Sequence, residues 1–141
     1  MKSHIRVECE NFDVGLEYQR LRLLCHQIGA VVTFTGLVRD FEDSGSQKVR
    51  NDSLSAMDLQ HYPEITEALI ANIAEEAAVR WSLLGVTIIH RVGKLSPNDQ
   101  IVFVGVASEH RSEAFNAAEF LMDYLKPVSY THLRAHETMV D

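Results

Sequence analysis

Cysteine is scarce in this chain of 141 residues: only Cys9 and Cys25 occur, and they do not form a CxxC pair. Two cysteines at such a spacing provide neither a disulfide framework nor the ligands of a cysteine-rich zinc site. We therefore expect two ordinary thiols, as in proteins of the reducing cytoplasm.

Long apolar runs are also absent. No run approaches the roughly 20 residues that a membrane-spanning helix needs. The segment Met1–His4 leads into an alternating stretch without the apolar core of a secretory signal. Both observations predict a cytoplasmic protein.

Positive charge is in deficit, since 13 Lys and Arg residues face 20 Asp and Glu residues and the formal net charge is −7. A broad nucleic-acid surface needs clustered positive charge and is therefore excluded, whereas a small basic pocket is compatible with this balance.

Several motifs of catalysis and ligand binding are missing as well. Gly36 and Gly45 are isolated and fit no glycine-rich phosphate loop, and there is no GxSxG elbow. His61 and His90 have no neighbours at metal-ligand spacing and are interpreted as structural residues. We predict no metal site and no bound cofactor.

Regular hydrophobic patterning is what the chain does contain, and the hydrophobic fraction of 46% suits one domain. Alternation and helical spacing predict elements in the order β-α-β-β-α-β-β-α. The strands are predicted at His4–Cys9 (an edge strand), Ala30–Val38, Ser53–His61, Val86–Val92 and Ile101–Ala107. The excess of strands and two hairpin-like pairs predict an α+β layer fold with a mixed or mostly antiparallel sheet.

Single residues mark the ends and irregularities of these elements. Asp13 opens the first helix, and Gly29 ends it. Gly36 indicates a bulge in the central strand, and the polar segment 39–52 is predicted to be a loop. Pro63 suits the first turn of the second helix, and a third helix is predicted through Ala114–Leu125.

Four basic residues are the candidates for chemistry. Arg39 ends the central strand, His110 and Arg111 open the last helix, and Lys126 closes it. A helix N-terminus presents free N–H groups and the positive end of the helix dipole, so a His-Arg pair there suits an anion. Each residue also has a structural interpretation: a solvated surface charge, or for Lys126 a favourable contact with the dipole.

Six segments together resemble the large subunit of molybdopterin synthase, in the family's order and spacing over residues 4 to 126. They are Gly29–Arg39 (GAVVTFTGLVR), Leu59–Pro63 (LQHYP), Val86–Gly93 (VTIIHRVG), Asp99–Val106 (DQIVFVGV), Ser108–Phe115 (SEHRSEAF) and Met122–Lys126 (MDYLK). Six matched segments are far more specific than one short motif.

The resemblance implies an α/β hammerhead-type fold and a homodimeric core. It also implies a small ubiquitin-like sulfur-carrier subunit at each end of that dimer, which gives a heterotetramer. The thiocarboxylated Gly-Gly tail of the carrier would enter the active site, and two sulfur transfers would convert cyclic pyranopterin monophosphate into molybdopterin.

Site residues follow from the matched positions alone. By resemblance, Arg39, His110 and Arg111 bind the substrate and its phosphate, and Lys126 contacts the substrate and is implicated in catalysis. Because the sulfur arrives on the partner, the chain needs no cysteine nucleophile. Its tasks are to hold a phosphorylated pterin, stabilise developing oxyanions and move protons.

The segment after Lys126 departs from the family, whose members continue into a stretch with an aromatic-lysine pair and a second functional lysine. Here the chain reads PVSYTHLRAHETMVD, which lacks periodicity. We therefore predict an incomplete family domain at residues 1–126 and a disordered or foreign tail at residues 127–141.

Two other functions remain open at this point. One is a non-catalytic subunit of the same assembly, too short to turn over. The other is a small regulatory α+β domain that binds a ligand without sulfur chemistry.

Geometry adds a hypothesis about the site. His110 and Lys126 are 16 residues apart on one predicted helix, or roughly 24 Å along its axis. The resemblance places both residues at the substrate, but a pterin phosphate is shorter than this distance. We therefore predict a site shared between two copies, in which Arg39 and Lys126 of one face His110 and Arg111 of the other.

Overall fold

The computed structural model describes the backbone of residues 1–39 and 62–140 and the side chains of residues 1–39 and 62–128. The described elements are β1 (Lys2–Glu8), α1 (Val14–Arg22), β2 (Ala30–Leu37), α2 (Pro63–Arg80), β3 (Leu83–Arg91), β4 (Gln100–Ser108) and α3 (Arg111–Val140). The predicted strand Ser53–His61 and most of the predicted loop 39–52 lie outside these residues.

The four strands form one sheet in the order β1-β3-β4-β2. β1 runs parallel to β3, whereas β4 is antiparallel to both β3 and β2. The predicted α+β class with a mixed sheet is therefore confirmed. Among the described strands, β1 lies at an edge of the sheet, as predicted. β3 and β4 form one of the two predicted hairpins.

β4 lies between β3 and β2 and is buried along almost its whole length, as is β3. Their side chains alternate between two cores. Even-numbered residues such as Ile88 and Val104 join one core, whereas Ile89 and Phe103 join the other. A sheet that is covered on both faces explains why these strands are continuously apolar in sequence.

The helices divide between these two faces. α2 and α3 cover the larger core and pack against each other. Trp81, the residue after α2, contacts Phe120 of α3, and their ring centroids are 5.4 Å apart. α1 covers the smaller core with Leu21. A Cβ at Gly105 would lie 2.4 Å from Leu21 Cδ1, so a larger residue there would displace the end of the Leu21 side chain where α1 approaches β4.

Polar contacts fix the two elements at the start of the chain. Glu17 of α1 is buried and accepts hydrogen bonds from Arg6 of β1 at 2.8 Å and from Arg20 at 3.3 Å. On β1, the N–H of Val7 donates to the Glu67 carboxylate of α2 at 2.9 Å. Glu67 of α2 thus accepts a hydrogen bond from a backbone N–H on the outer side of β1, where an unpaired N–H could otherwise bind another chain.

Three residues behave as the sequence predicts. The Asp13 carboxylate caps α1 by accepting from the N–H of Leu16 at 3.1 Å. The register between β2 and β4 shifts between Gly36 and Leu37, where a bulge was expected. Pro63 occupies the first turn of α2.

The end of α1 differs from the prediction. The helix stops at Arg22, seven residues before the predicted end at Gly29. Leu24 nevertheless lies against Gly85 of β3, so it keeps its place in the core although it is outside the helix. Apolar spacing therefore predicted that Leu24 packs against the core, where it is partly buried, but it did not predict its backbone conformation.

The end of α3 differs as well. We expected the helix to close at Lys126, but it runs through Pro127 to Val140. A proline removes one backbone donor and strains one turn without forbidding the helix. The assignment of residues 127–141 to a tail outside the domain stays a prediction. No helix in the described part of the chain is long and apolar enough to cross a membrane.

His90 lies in β3 opposite Val102 of β4 and is fully buried. Burial lowers the pKa of His90 from its ordinary value of 6.5 to about 4, because desolvation disfavours the imidazolium. A smaller, opposing effect comes from Nδ1–H, which donates to the Arg91 carbonyl oxygen at 2.8 Å. His90 is therefore neutral at neutral pH.

We expect the free energy of unfolding to fall as the pH drops from 6.5 to about 4. In this window the unfolded chain protonates His90 and the folded chain does not, so protons favour the unfolded state. The loss due to His90 is about 3 kcal/mol at most. Denaturant titrations over this pH range should show a shallower loss for His90→Leu.

The matched control is His4→Leu, which alters an exposed histidine of β1 and should keep the wild-type pH dependence. Identical pH dependence in His90→Leu and the wild type would contradict the assignment of this loss to His90.

Candidate active site

The turn between β4 and α3 carries two of the four predicted site residues. β4 ends at Ser108, and α3 begins at Arg111, so His110 and Arg111 stand side by side where the helix starts. Both are exposed. The His110 side chain is 68% exposed, and its Nε2 lies 3.2 Å from Glu109 Oε1. The first N–H groups of α3 open at the same place, which suits an anion.

Buried contacts hold the backbone of this turn. Ser108 is fully buried, and its hydroxyl donates to the Ser82 carbonyl oxygen at 2.8 Å. The Ser108 hydroxyl oxygen in turn accepts from the N–H of His110 at 3.4 Å. The N–H of Gly29, just before β2, donates to the Ser108 carbonyl oxygen at 3.0 Å. The turn is thus tied to the starts of both neighbouring strands.

Gly29 has a role that the sequence did not reveal. It was expected to end α1, but it packs against the backbone of the β4–α3 turn. A Cβ at Gly29 would lie 2.4 Å from the Glu109 carbonyl oxygen. The atoms nearest to such a Cβ all belong to the Glu109 backbone, which cannot rotate aside as a side chain can. Only glycine therefore fits at this position without a shift of the turn.

Arg39 lies at the opposite end of the sheet from His110. Ala30 of β2 pairs with Ser108, whereas Leu37 pairs with Gln100. The nine residues of β4 span roughly 27 Å. Arg39 follows β2 at the Gln100 end, where the N–H of Val38 donates to the Asp99 carbonyl oxygen at 2.9 Å, and it is exposed.

Lys126 is exposed on α3. The helix begins at Arg111, so Lys126 is roughly 24 Å from His110 along the axis. Within one chain the structure therefore unites His110 with Arg111 and leaves Arg39 and Lys126 at a distance from them. The hypothesis of a shared site requires this separation.

Other features of the described residues lie elsewhere. A groove of about 480 Å³ between α1 and the β1–β3 edge is lined by residues such as Lys2, His4 and Arg20, and none of the four predicted site residues lines it. In residues 1–39 and 62–128, no three His, Cys, Asp or Glu side chains are grouped to hold a metal ion.

Known proteins similar to this chain agree on its family. The family model described as MoaE protein matches residues 7–128. This chain belongs to the MoaE family. A molybdopterin synthase catalytic subunit from Ralstonia nicotianae is 52% identical over 86% of this chain and 65% of the relative.

Solved structures give the same fold. Molybdopterin cofactor biosynthesis protein E from Burkholderia multivorans matches with a TM-score of 0.72 at 40% identity, over 89% of this chain and 77% of that one. A complex of subunits 1 and 2 of the Helicobacter pylori molybdopterin-converting factor contains a chain with a TM-score of 0.59. That match covers 88% of this chain and 77% of that one at 14% identity, so it shows the fold alone.

Membership of the MoaE family confirms the resemblance that the six segments indicated. The chain spans 65% of the length of the Ralstonia relative.

Gly29→Ala tests how tightly the turn is held. We expect the free energy of unfolding to fall by roughly 1–3 kcal/mol, because the new Cβ meets backbone. Gly15→Ala is the matched control, since its Cβ would meet only Asp13 Oδ1 at 3.4 Å within α1. This control should be neutral or stabilising by up to ~1 kcal/mol. Equal free energies of unfolding for both variants in denaturant titrations would show that the turn shifts at little energetic cost.

Proposed function

We propose that this chain is the large, catalytic subunit of a molybdopterin synthase. It transfers sulfur from the thiocarboxylated C-terminus of a small carrier subunit to cyclic pyranopterin monophosphate. The observation that carries the proposal is the backbone-fixed His110–Arg111 turn at the start of α3, in a chain of the MoaE family.

The arrangement suits the anionic part of the substrate. His110 and Arg111 are exposed at a helix N-terminus, where a phosphate gains both a charge-assisted contact and free backbone N–H groups. The sulfur is delivered by the carrier, so no thiol of this chain takes part. The remaining work is positioning and the stabilisation of developing negative charge.

The partners of this reaction are a small ubiquitin-like carrier subunit and a second copy of this chain, in a heterotetramer. The Ralstonia relative is itself described as a catalytic subunit, which supports such an assembly.

The substrate site is formed by two copies of the chain. Arg39 and Lys126 of one copy would meet His110 and Arg111 of the other across a two-fold axis. The separation of roughly 24 Å between His110 and Lys126 along α3 supports this arrangement. Lys126 would then be the catalytic residue beside a phosphate held by the other subunit.

The family domain ends near Lys126, and residues 127–141 form a segment outside it. The family match, which stops at residue 128, supports this boundary. The second lysine that the resemblance leads one to expect would then be missing. This chain would turn over more slowly than one with a family-type C-terminus.

Arg39→Ala and Arg111→Ala should each weaken the binding of cyclic pyranopterin monophosphate. The loss of a charge-assisted contact costs on the order of 1.5–3 kcal/mol. Both residues are exposed, so the melting temperature should change little. Calorimetric titration measures the binding, and Arg22→Ala, an exposed arginine of α1, is the matched control. Unchanged affinity in both site variants would place the phosphate elsewhere.

Mixing two inactive variants tests the shared site. In chains that carry a family-type C-terminus, Arg111→Ala and Lys126→Ala should each abolish most activity. A heterodimer of the two contains one site with both residues intact, so co-assembly should restore part of the molybdopterin formation. Distinct affinity tags on the two variants allow the heterodimer to be isolated, and no recovery in that preparation would mean that each site lies within one chain.

A further inference from the structure

We infer that Ser108 and Glu113 are positioning residues for the substrate phosphate, because together they clamp the peptide of Ser82 and so fix the His110–Arg111 turn. This inference rests on the proposed function, since it concerns how that same site is held. Neither residue touches the substrate in this arrangement.

The clamp acts on both polar groups that the Ser82 backbone presents. The Ser108 hydroxyl donates to the Ser82 carbonyl oxygen at 2.8 Å. The Ser82 N–H donates to the carboxylate of Glu113 in the first turn of α3. Ser82 stands between the end of α2 and the start of β3. The first turn of α3 is therefore anchored to a junction that two other elements hold in place.

This anchoring matters because few contacts of their own side chains hold His110 and Arg111 in place. Arg111 is exposed, and His110 is 68% exposed beside a Glu109 side chain that is itself 60% exposed. An exposed ion pair contributes little to stability. The positions of His110 and Arg111 must then come mainly from the backbone, which Ser108 Oγ also contacts through the His110 N–H.

Two matched pairs of variants isolate the clamp. Ser108→Ala removes the buried hydroxyl, whereas Ser112→Ala removes an exposed hydroxyl from the same turn. Glu113→Ala removes the carboxylate, whereas Glu119→Ala removes an exposed carboxylate from the same helix. Glu113→Gln keeps an acceptor oxygen and should rescue the loss.

Two measurements on the intact chain follow these variants. Amide hydrogen exchange at His110 and Arg111 should accelerate in Ser108→Ala and Glu113→Ala but not in the controls. The dissociation constant for cyclic pyranopterin monophosphate should rise roughly tenfold in Ser108→Ala, as expected for losing one hydrogen bond and the geometry it enforces. With the carrier present, KM should rise and kcat should change by less than about twofold.

A double-mutant cycle separates positioning from general destabilisation. If Ser108 acts through Arg111, then Ser108→Ala should weaken binding little further in an Arg111→Ala background. An equal additional loss in that background would overturn the inference, as would wild-type affinity in Ser108→Ala. If the wild-type chain itself does not bind the substrate, the proposed function fails, and the hydrogen exchange then shows whether the clamp exists without that role.

Discussion

The pairing of β4 with β3 on one side and β2 on the other is the constraint on which the rest of the structure depends. A strand that is hydrogen-bonded along both edges and apolar on both faces must be covered above and below. α1 supplies one cover, and α2 with α3 supplies the other. Gly105 shows how close this packing is, because a single methyl group there would collide with Leu21 of α1.

The same strand also determines where the candidate site lies. His110 and Arg111 follow the end of β4, and Arg39 stands across from its beginning. A rigid central strand keeps these two places apart, so the basic residues of one chain do not converge. Burial at Ser108 and exposure two residues later at His110 mark the transition from core to site. The buried residues of the core therefore fix the backbone that carries the candidate site residues.

Local signals in the sequence predicted local structure well. Asp13 caps α1, Gly36 marks the bulge and Pro63 opens α2, because each depends on neighbours close in the chain. The ends of α1 and α3 were less predictable. Leu24 is partly buried although it lies outside the helix, because it packs against β3. α3 continues through Pro127. The candidate site residues were proposed through resemblance rather than spacing, because an exposed cation carries no local signal of function.

By itself, the sequence determined the α+β class, the buried central strands and the family, and it indicated four basic residues as candidates for the site. Periodicity, turn chemistry and matched segments are properties of the chain as written. Only the tertiary structure decided that Gly29 must be glycine to pass the Glu109 backbone. It alone brought Ser82 to Ser108 and Glu113. These contacts join residues far apart in the chain, so they arise from strand pairing and helix packing, which no local pattern encodes.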